Sequence, residues 1–241
     1  MPKNTAPLPD WELVLSSAAR LQCILPDAVL VGGTASIIHA RHRFSRDADH
    51  VLTDLRHRFN EVLAELESVA GWKTARVQRP VQILGSLDGI ETGVRQLIRE
   101  KPLETAVVEY HGGRITVPTE GEILRIKGVL ILKRNATRDY LDFVALADHI
   151  GDKGVAQALQ SFDRLYQQDN GESPLQQLQV QLANALPYDL EETELSEYKN
   201  LDPRWHDWQS VKAACSHLAT VIFDQVCDMD ADRSDDYGME P

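Results

Sequence analysis

The sequence predicts an α/β (α+β) fold: a small mixed sheet flanked by helices, followed along the chain by a mostly helical region. Three observations lead there. Short apolar runs alternate with amphipathic stretches as far as Gly71, five short strand candidates follow, and beyond Pro118 the pattern turns helical. The 241 residues are enough for one large domain or two small ones with a sizeable core.

The elements follow in order. Residues 10–22 read as a helix capped by Asp10, with Leu13, Leu15, Ala18 and Leu21 broadly on one side. AVLV (28–31) is a short buried strand, Gly32-Gly33 breaks it, and TASIIHARH (34–42) continues as a helix. ADHVLTDL (48–55) is strand-like, and RHRFNEVLAELESVAG (56–71) is an amphipathic helix stopped by Gly71. WKTARV, VQILG, GIETGV, TAVVEY and RITV are strand candidates, with hairpin turns at SLDG (86–89) and YHGGR (110–114). Thr119 is placed to cap a helix over 120–134, with Glu122 at the capping-box position, and a second helix covers 137–151. The softest boundary is Gly151 to Gly154. The expected division is therefore a domain over 1–151, a helical C-terminal region over 152–227, and a disordered acidic tail over 228–241.

Composition narrows the function classes. Hydrophobic content of 43% and charged content of 26% are ordinary for a globular chain. No apolar run approaches the roughly 18 residues that span a bilayer, and the first residues lack an apolar signal core. A cytoplasmic protein without a membrane partner is expected. Cys23, Cys215 and Cys227 lack paired metal-ligand spacing and read as incidental thiols. The net charge of −12 is uneven: residues 1–150 carry 19 basic and 19 acidic side chains, residues 151–241 carry 6 and 18. An acidic chain repels nucleic acid at long range, yet the balanced part can present a local basic face. Arg41, Arg43, Arg46, Arg56 and Arg58 crowd one stretch, with His42 and His57 among them.

Some features are set aside. Asp228, Asp230 and Asp232 resemble the start of a calcium loop, but Arg233 and Met239 occupy its glycine and glutamate positions. His39 and His42 share a helix without a third zinc ligand; His50 and His57 are expected at the surface. Trp205 and Trp208, three apart, read as a helix packing contact.

The chemistry concentrates in VLVGGTASIIHARHRFSRDADHVLTDL (29–55). A strand, a Gly-Gly turn and a helix leave free backbone N–H groups at a helix start, where an anion can approach. Thr34 would add a hydroxyl donor. Asp47 and Asp49, two apart on a strand, point to one face and repel unless a cation joins them. Mg²⁺ prefers carboxylate oxygens and bridges to substrate phosphates. A cradle followed by such a pair implies metal-assisted nucleotidyl or phosphoryl transfer, whereas the pair taken alone reads as two aspartates at a strand start facing water.

This stretch resembles the first motif of the polymerase-β-like nucleotidyltransferase superfamily, and within it the abortive-infection (AbiEii-like) toxins, which include the MenT-type toxins. The family pattern is met by Gly32, Gly33, Thr34, Ala35, Arg43, Ser45, Asp47 and Asp49; Ala48 and His50 depart from it without touching the carboxylates. A second motif, ILRIKGVLILKRNATRDYLDFVALAD, supplies Lys127, Arg134, Arg138, Asp139 and Asp142. The resemblance implies a nucleotidyltransferase core over roughly residues 28–150. It implies an NTP substrate, two Mg²⁺ ions on Asp47 and Asp49, and a third metal-holding carboxylate. Glu91 is preferred for that place, with Glu109 as the other candidate. Gly32, Gly33, Thr34, Ser45 and Arg46 would line the nucleotide, and Lys127, Arg134, Arg138, Asp139 and Asp142 would complete the nucleotide site, with Lys127 on the triphosphate. It further implies an acceptor hydroxyl, such as a tRNA 3′ end, and a cognate antitoxin as partner. Two rivals remain at this stage: transfer to a small molecule such as an aminoglycoside or to a protein hydroxyl, and a degenerate, non-catalytic nucleotide- or partner-binding protein.

Overall fold

In the computed structural model the described residues are 11–236, with side chains described as far as 227. The described residues divide into two compact units, 11–38 with 44–119, and 39–43 with 120–236.

In the first unit, helix α1 (Trp11–Ile24) is followed by strand β1 (Val29–Leu30) and helix α2 (Gly32–Ala40), whose last two residues fall in the second unit. Asp10, the expected cap of α1, lies outside the described residues. The buried side of α1 is Val14, Leu15, Ala18 and Leu21; Leu13, expected there, is exposed, because Val14 takes the inward place. Strand β2 (Asp47–Leu52), helix α3 (Leu55–Ser68) and strands β3 (Trp72–Gln78), β4 (Gln82–Leu87) and β5 (Ile90–Gln96) complete a five-stranded sheet of order β1-β2-β5-β4-β3. The β2 and β5 strands are parallel; the other neighbours are antiparallel. The sheet is thus mixed, as predicted, and SLDG makes the β4–β5 turn, with Asp88 and Gly89 at positive φ.

Strand alternation decides what β2 offers to each side. Ala48, His50 and Leu52 point into the core, and Asp47, Asp49 and Val51 point the other way. Leu52 joins Leu55, Phe59, Val62 and Leu66 of α3 and Ile83, Leu87 and Val94 of the sheet in one apolar cluster. Ala48 joins Val14, Ala18 and Leu30 in another. Burying each of the valine, leucine, isoleucine and phenylalanine side chains among these contributes about 1.5–3 kcal/mol. His50 is fully buried rather than at the surface, since the alternation that turns Asp49 outward turns its neighbour inward. Strands β6 (Thr105–Tyr110) and β7 (Gly113–Pro118) form a separate two-stranded sheet around the predicted YHGGR turn.

The second unit is helical: α4 (Glu120–Arg134), α5 (Thr137–Leu159), α6 (Phe162–Leu165), α7 (Pro174–Ala183) and α8 (Trp208–Asp236). The α5 helix runs beyond the expected end at Gly151, where φ of 71° marks a kink rather than a stop. Trp205 is buried and Trp208 meets Tyr140 edge-on at 5.9 Å, the packing role predicted for the pair. The acidic stretch expected as a disordered tail is helical backbone from Asp228 to Asp236; residues 237–241 lie outside the described residues. Among the described residues no helix is long and apolar enough to cross a membrane.

Candidate active site

The first unit brings one group of predicted residues together. The α2 helix starts at Gly32, whose φ of 75° is a conformation glycine adopts freely. A Cβ placed on Gly32 would lie 3.7 Å from Cβ and 3.9 Å from Oδ2 of Asp49. The glycine bend and the second aspartate are therefore in immediate contact. The backbone N–H of Val31 donates to the Asp49 carbonyl at 2.8 Å, which fixes the bend against β2. Thr34 is fully buried, and its hydroxyl donates to the Asp47 carbonyl. The hydroxyl expected to meet a phosphate thus ties α2 to β2 here, beside the backbone amides at the α2 start.

Asp47 and Asp49 share one face of β2, as their spacing predicts. The Ser45 hydroxyl donates to Oδ1 of Asp47 at 2.5 Å, which orients that carboxylate. Arg95 Nη2 stands 3.9 Å from Oδ1 of Asp49. Glu91 on β5 is the direct register partner of Asp47, and Gly93 that of Asp49. Partners across a parallel pair share a face, so Glu91, Gly93 and Arg95 line the aspartate side. Glu91 is exposed. Glu109 lies in the other sheet, exposed, with Arg114 at 3.2 Å. The preference for Glu91 over Glu109 thus agrees with the register. Arg46 is exposed beside the pair.

Among the described residues no three His, Cys, Asp or Glu side chains converge into a group able to hold a metal. The expected three-carboxylate set is placed as an aspartate pair with Glu91 in register beside it. That donor set still fits Mg²⁺, which takes one or two protein carboxylates and fills its octahedron from water and substrate phosphates.

The second unit gathers the other predicted group, and differently from expectation. Asp142 is fully buried and accepts from Arg43 Nε at 2.8 Å and Nη2 at 3.1 Å, from His42 Nε2 at 2.8 Å, and from Lys127 Nζ at 2.6 Å. Burial alone would raise its carboxyl, but the charges of Arg43 and Lys127 and the His42 bond outweigh that and hold it well below the usual carboxylate range. Lys127 is only 1% exposed and also faces Asp139 at 3.6 Å. Arg134 clasps Asp139 through Nε and Nη2 at 2.5 and 2.7 Å. Lys127, expected on the triphosphate, thus sits at the centre of a buried ionic network, with Asp139 and Asp142, expected at the nucleotide, as its acids. Arg138 is exposed. The part of His42 and Arg43 was missed, because their partner stands a hundred residues away in the chain.

A profile described as "Nucleotidyl transferase AbiEii toxin, Type IV TA system" matches residues 24–220. The heme uptake protein MmpL11 of Mycobacterium tuberculosis is 28% identical over 91% of this chain and 23% of its own length. The mycolic acid-containing lipids exporter MmpL11 of Mycolicibacterium smegmatis is 26% identical over 93% and 23%. The chain thus spans about a quarter of the length of these relatives. A crystal structure from H. pylori, assigned as a nucleotidyltransferase, superposes with a TM-score of 0.52 at 16% identity, covering 90% of this chain and 98% of that one. That likeness concerns the fold.

Proposed function

The chain belongs to the family of the nucleotidyl transferase AbiEii toxin of type IV toxin–antitoxin systems, and from that premise we propose that it transfers a nucleoside monophosphate from an NTP to an acceptor hydroxyl at the Asp47–Asp49 face of β2. It is a nucleotidyltransferase by family and by fold. The observation that carries the finer reading is the contact between the Gly32 bend and Asp49, on the strand face that Asp47 and the register partner Glu91 also occupy.

In this reading the backbone amides at the start of α2 receive the phosphate tail of the NTP. Asp47, oriented by Ser45, and Asp49 would hold a divalent cation, which would supply charge neutralisation at the α-phosphate. The acceptor oxygen attacks the α-phosphorus in line, the bond to the β-phosphate oxygen breaks, and pyrophosphate leaves. Glu91, exposed and level with Asp47, takes the hydroxyl proton. The acceptor we infer is an RNA end, such as the 3′ end of a tRNA. The partner is a cognate antitoxin, which the family's toxin–antitoxin description supports.

Pyrophosphate release by the wild type and by Asp47→Ala, with each NTP and total RNA, tests this. The expected result is Mg²⁺- and RNA-dependent release by the wild type alone, with both proteins giving the same circular dichroism spectrum. Equal release by the two proteins would overturn the reading.

A further inference from the structure

A cleft of about 420 Å³ opens in the first unit between the first turn of α3 and the β3–β4 turn. Arg56, His57, Arg58 and Arg79 line it, against Glu61 alone as an acid. Arg58 is already balanced by Asp54 at 2.8 Å and Asp27 at 3.2 Å. Arg56 and His57 have no acidic partner among the described residues. The guanidinium of Arg79 is set in place without being neutralised: it bonds the Asn60 amide oxygen and lies 5.0 Å over the Phe59 ring. The amides at the α3 start are occupied, Arg56 N–H by Gln96 Oε1 at 2.9 Å and those of His57 and Arg58 by the Asp54 carbonyl. An anion here would be held by side chains, not by the helix end. Exposed Lys73 and Arg76 extend the basic surface along the edge strand β3.

Position sets the ligand. The Gly32 bend and the aspartates stand at the beginning of β2. The cleft stands at its other end, where Leu52 pairs with Gln96 and Gln82 with Arg95. From Asp49 to Leu52 is about 10 Å at roughly 3.3 Å per residue. Arg79 directly follows β3, which β5 and β4 separate from β2, so the cleft lies farther from the aspartates than this length and beyond an NTP tail seated at the α2 start. We infer that this cleft binds the phosphodiester backbone of the acceptor polynucleotide, a few nucleotides from its reacting end. The inference rests on the Asp47–Asp49 face as the place of transfer.

The experiment compares the full chain with Arg56→Glu/Arg79→Glu and with the milder Arg56→Gln/Arg79→Gln. The probe is a fluorescein-labelled 12-nucleotide single-stranded RNA, read by anisotropy from 50 to 300 mM salt, with ATP–Mg²⁺ calorimetry alongside. The inference expects RNA affinity to fall at least about tenfold, with the log–log salt slope shallower by about 1.4 for two lost phosphate contacts. ATP affinity stays unchanged. Unaltered RNA affinity and slope in the glutamine variant, or a wild type that binds no RNA, would overturn it. Loss of ATP affinity would overturn it too, assigning the cleft to the nucleotide tail. If the wild type releases no pyrophosphate yet the variants lose RNA, the transfer reading fails and the cleft stands.

Discussion

Asp47 and Glu91 are level with each other on adjacent parallel strands, the first residue of β2 beside the second of β5. Neither strand shows this alone. The pairing arises because β5 returns through the SLDG hairpin and lies parallel to β2, which turns Glu91, Gly93 and Arg95 to the aspartate side.

Asp47→Asn and Asp49→Asn keep side-chain volume and remove charge, so each is expected to lower pyrophosphate release more than about a hundredfold, beyond the 10–100-fold that even an outer partner of a metal ligand costs. Glu91→Gln removes a proton acceptor and is expected to cost about 10²–10⁴-fold in kcat with little change in NTP affinity. Steady-state kinetics with calorimetry separates the two. A Glu91→Gln enzyme at wild-type rate would take Glu91 out of the mechanism.

The Asp142 network makes a prediction about stability. Removing the shared acid with Asp142→Leu leaves Arg43, Lys127 and His42 buried around an apolar side chain, and should cost about 3–5 kcal/mol. Lys127→Met leaves Asp142 with Arg43 and His42, and should cost less, about 1–3 kcal/mol. Urea denaturation of both variants gives the order. If Lys127→Met kept full stability but lost NTP affinity, the lysine would be a ligand contact after all.

Much of this was legible in the sequence where the signal is local. The period-2 pattern around Asp47 and Asp49 set their shared face, and the same pattern placed His50 inward, a consequence the surface expectation overlooked. Glu91, Gly93 and Arg95 carry the same alternation on β5. Lys127 was not legible in this way. Its stretch, ILRIKGVLIL, is apolar all round, and its partner Asp142 is itself neutralised by Arg43, ninety-nine residues distant. Charge pairing across such a separation has no period for a sequence pattern to display. The kink at Gly151 was visible as a glycine, but whether the chain turns or continues there depends on packing.

Cysteine chemistry offers an independent check of burial. Cys215 is fully buried, and burial pushes its thiol up to about 12. Cys23 and Cys227 are exposed. Iodoacetamide at pH 8 should modify Cys23 and Cys227 in the native protein and reach Cys215 only in denaturant, since the thiolate is the reactive form. Peptide mass spectrometry reads this directly. Native labelling of Cys215 as fast as Cys23 would contradict the packing of α8.

His50 provides the pH dependence. It is fully buried, neither ring nitrogen has a hydrogen-bond partner within normal geometry, and burial lowers its pKa from 6.5 to about 4 against the weaker pull of backbone at Ala48 and Ala18. The sign follows from proton counts. Between about pH 6.5 and 4 the unfolded chain holds a proton on His50 that the folded chain does not, so stability rises with pH across this window and falls on acidification. Below the folded value the loss is complete, on the order of 3 kcal/mol at about 1.36 kcal/mol per pKa unit. Exposed carboxylates contribute at the acid end of the same range, so the informative quantity is a difference between proteins. His50→Leu removes the titrating group while leaving those carboxylates in place. Urea midpoints measured in EDTA from pH 4.5 to 7.5 should rise more steeply with pH for the wild type than for His50→Leu, with the two curves parallel above about pH 7. Parallel curves throughout would mean that the imidazole gains its proton in the folded state as readily as in the unfolded one, and that β2 does not bury it as described.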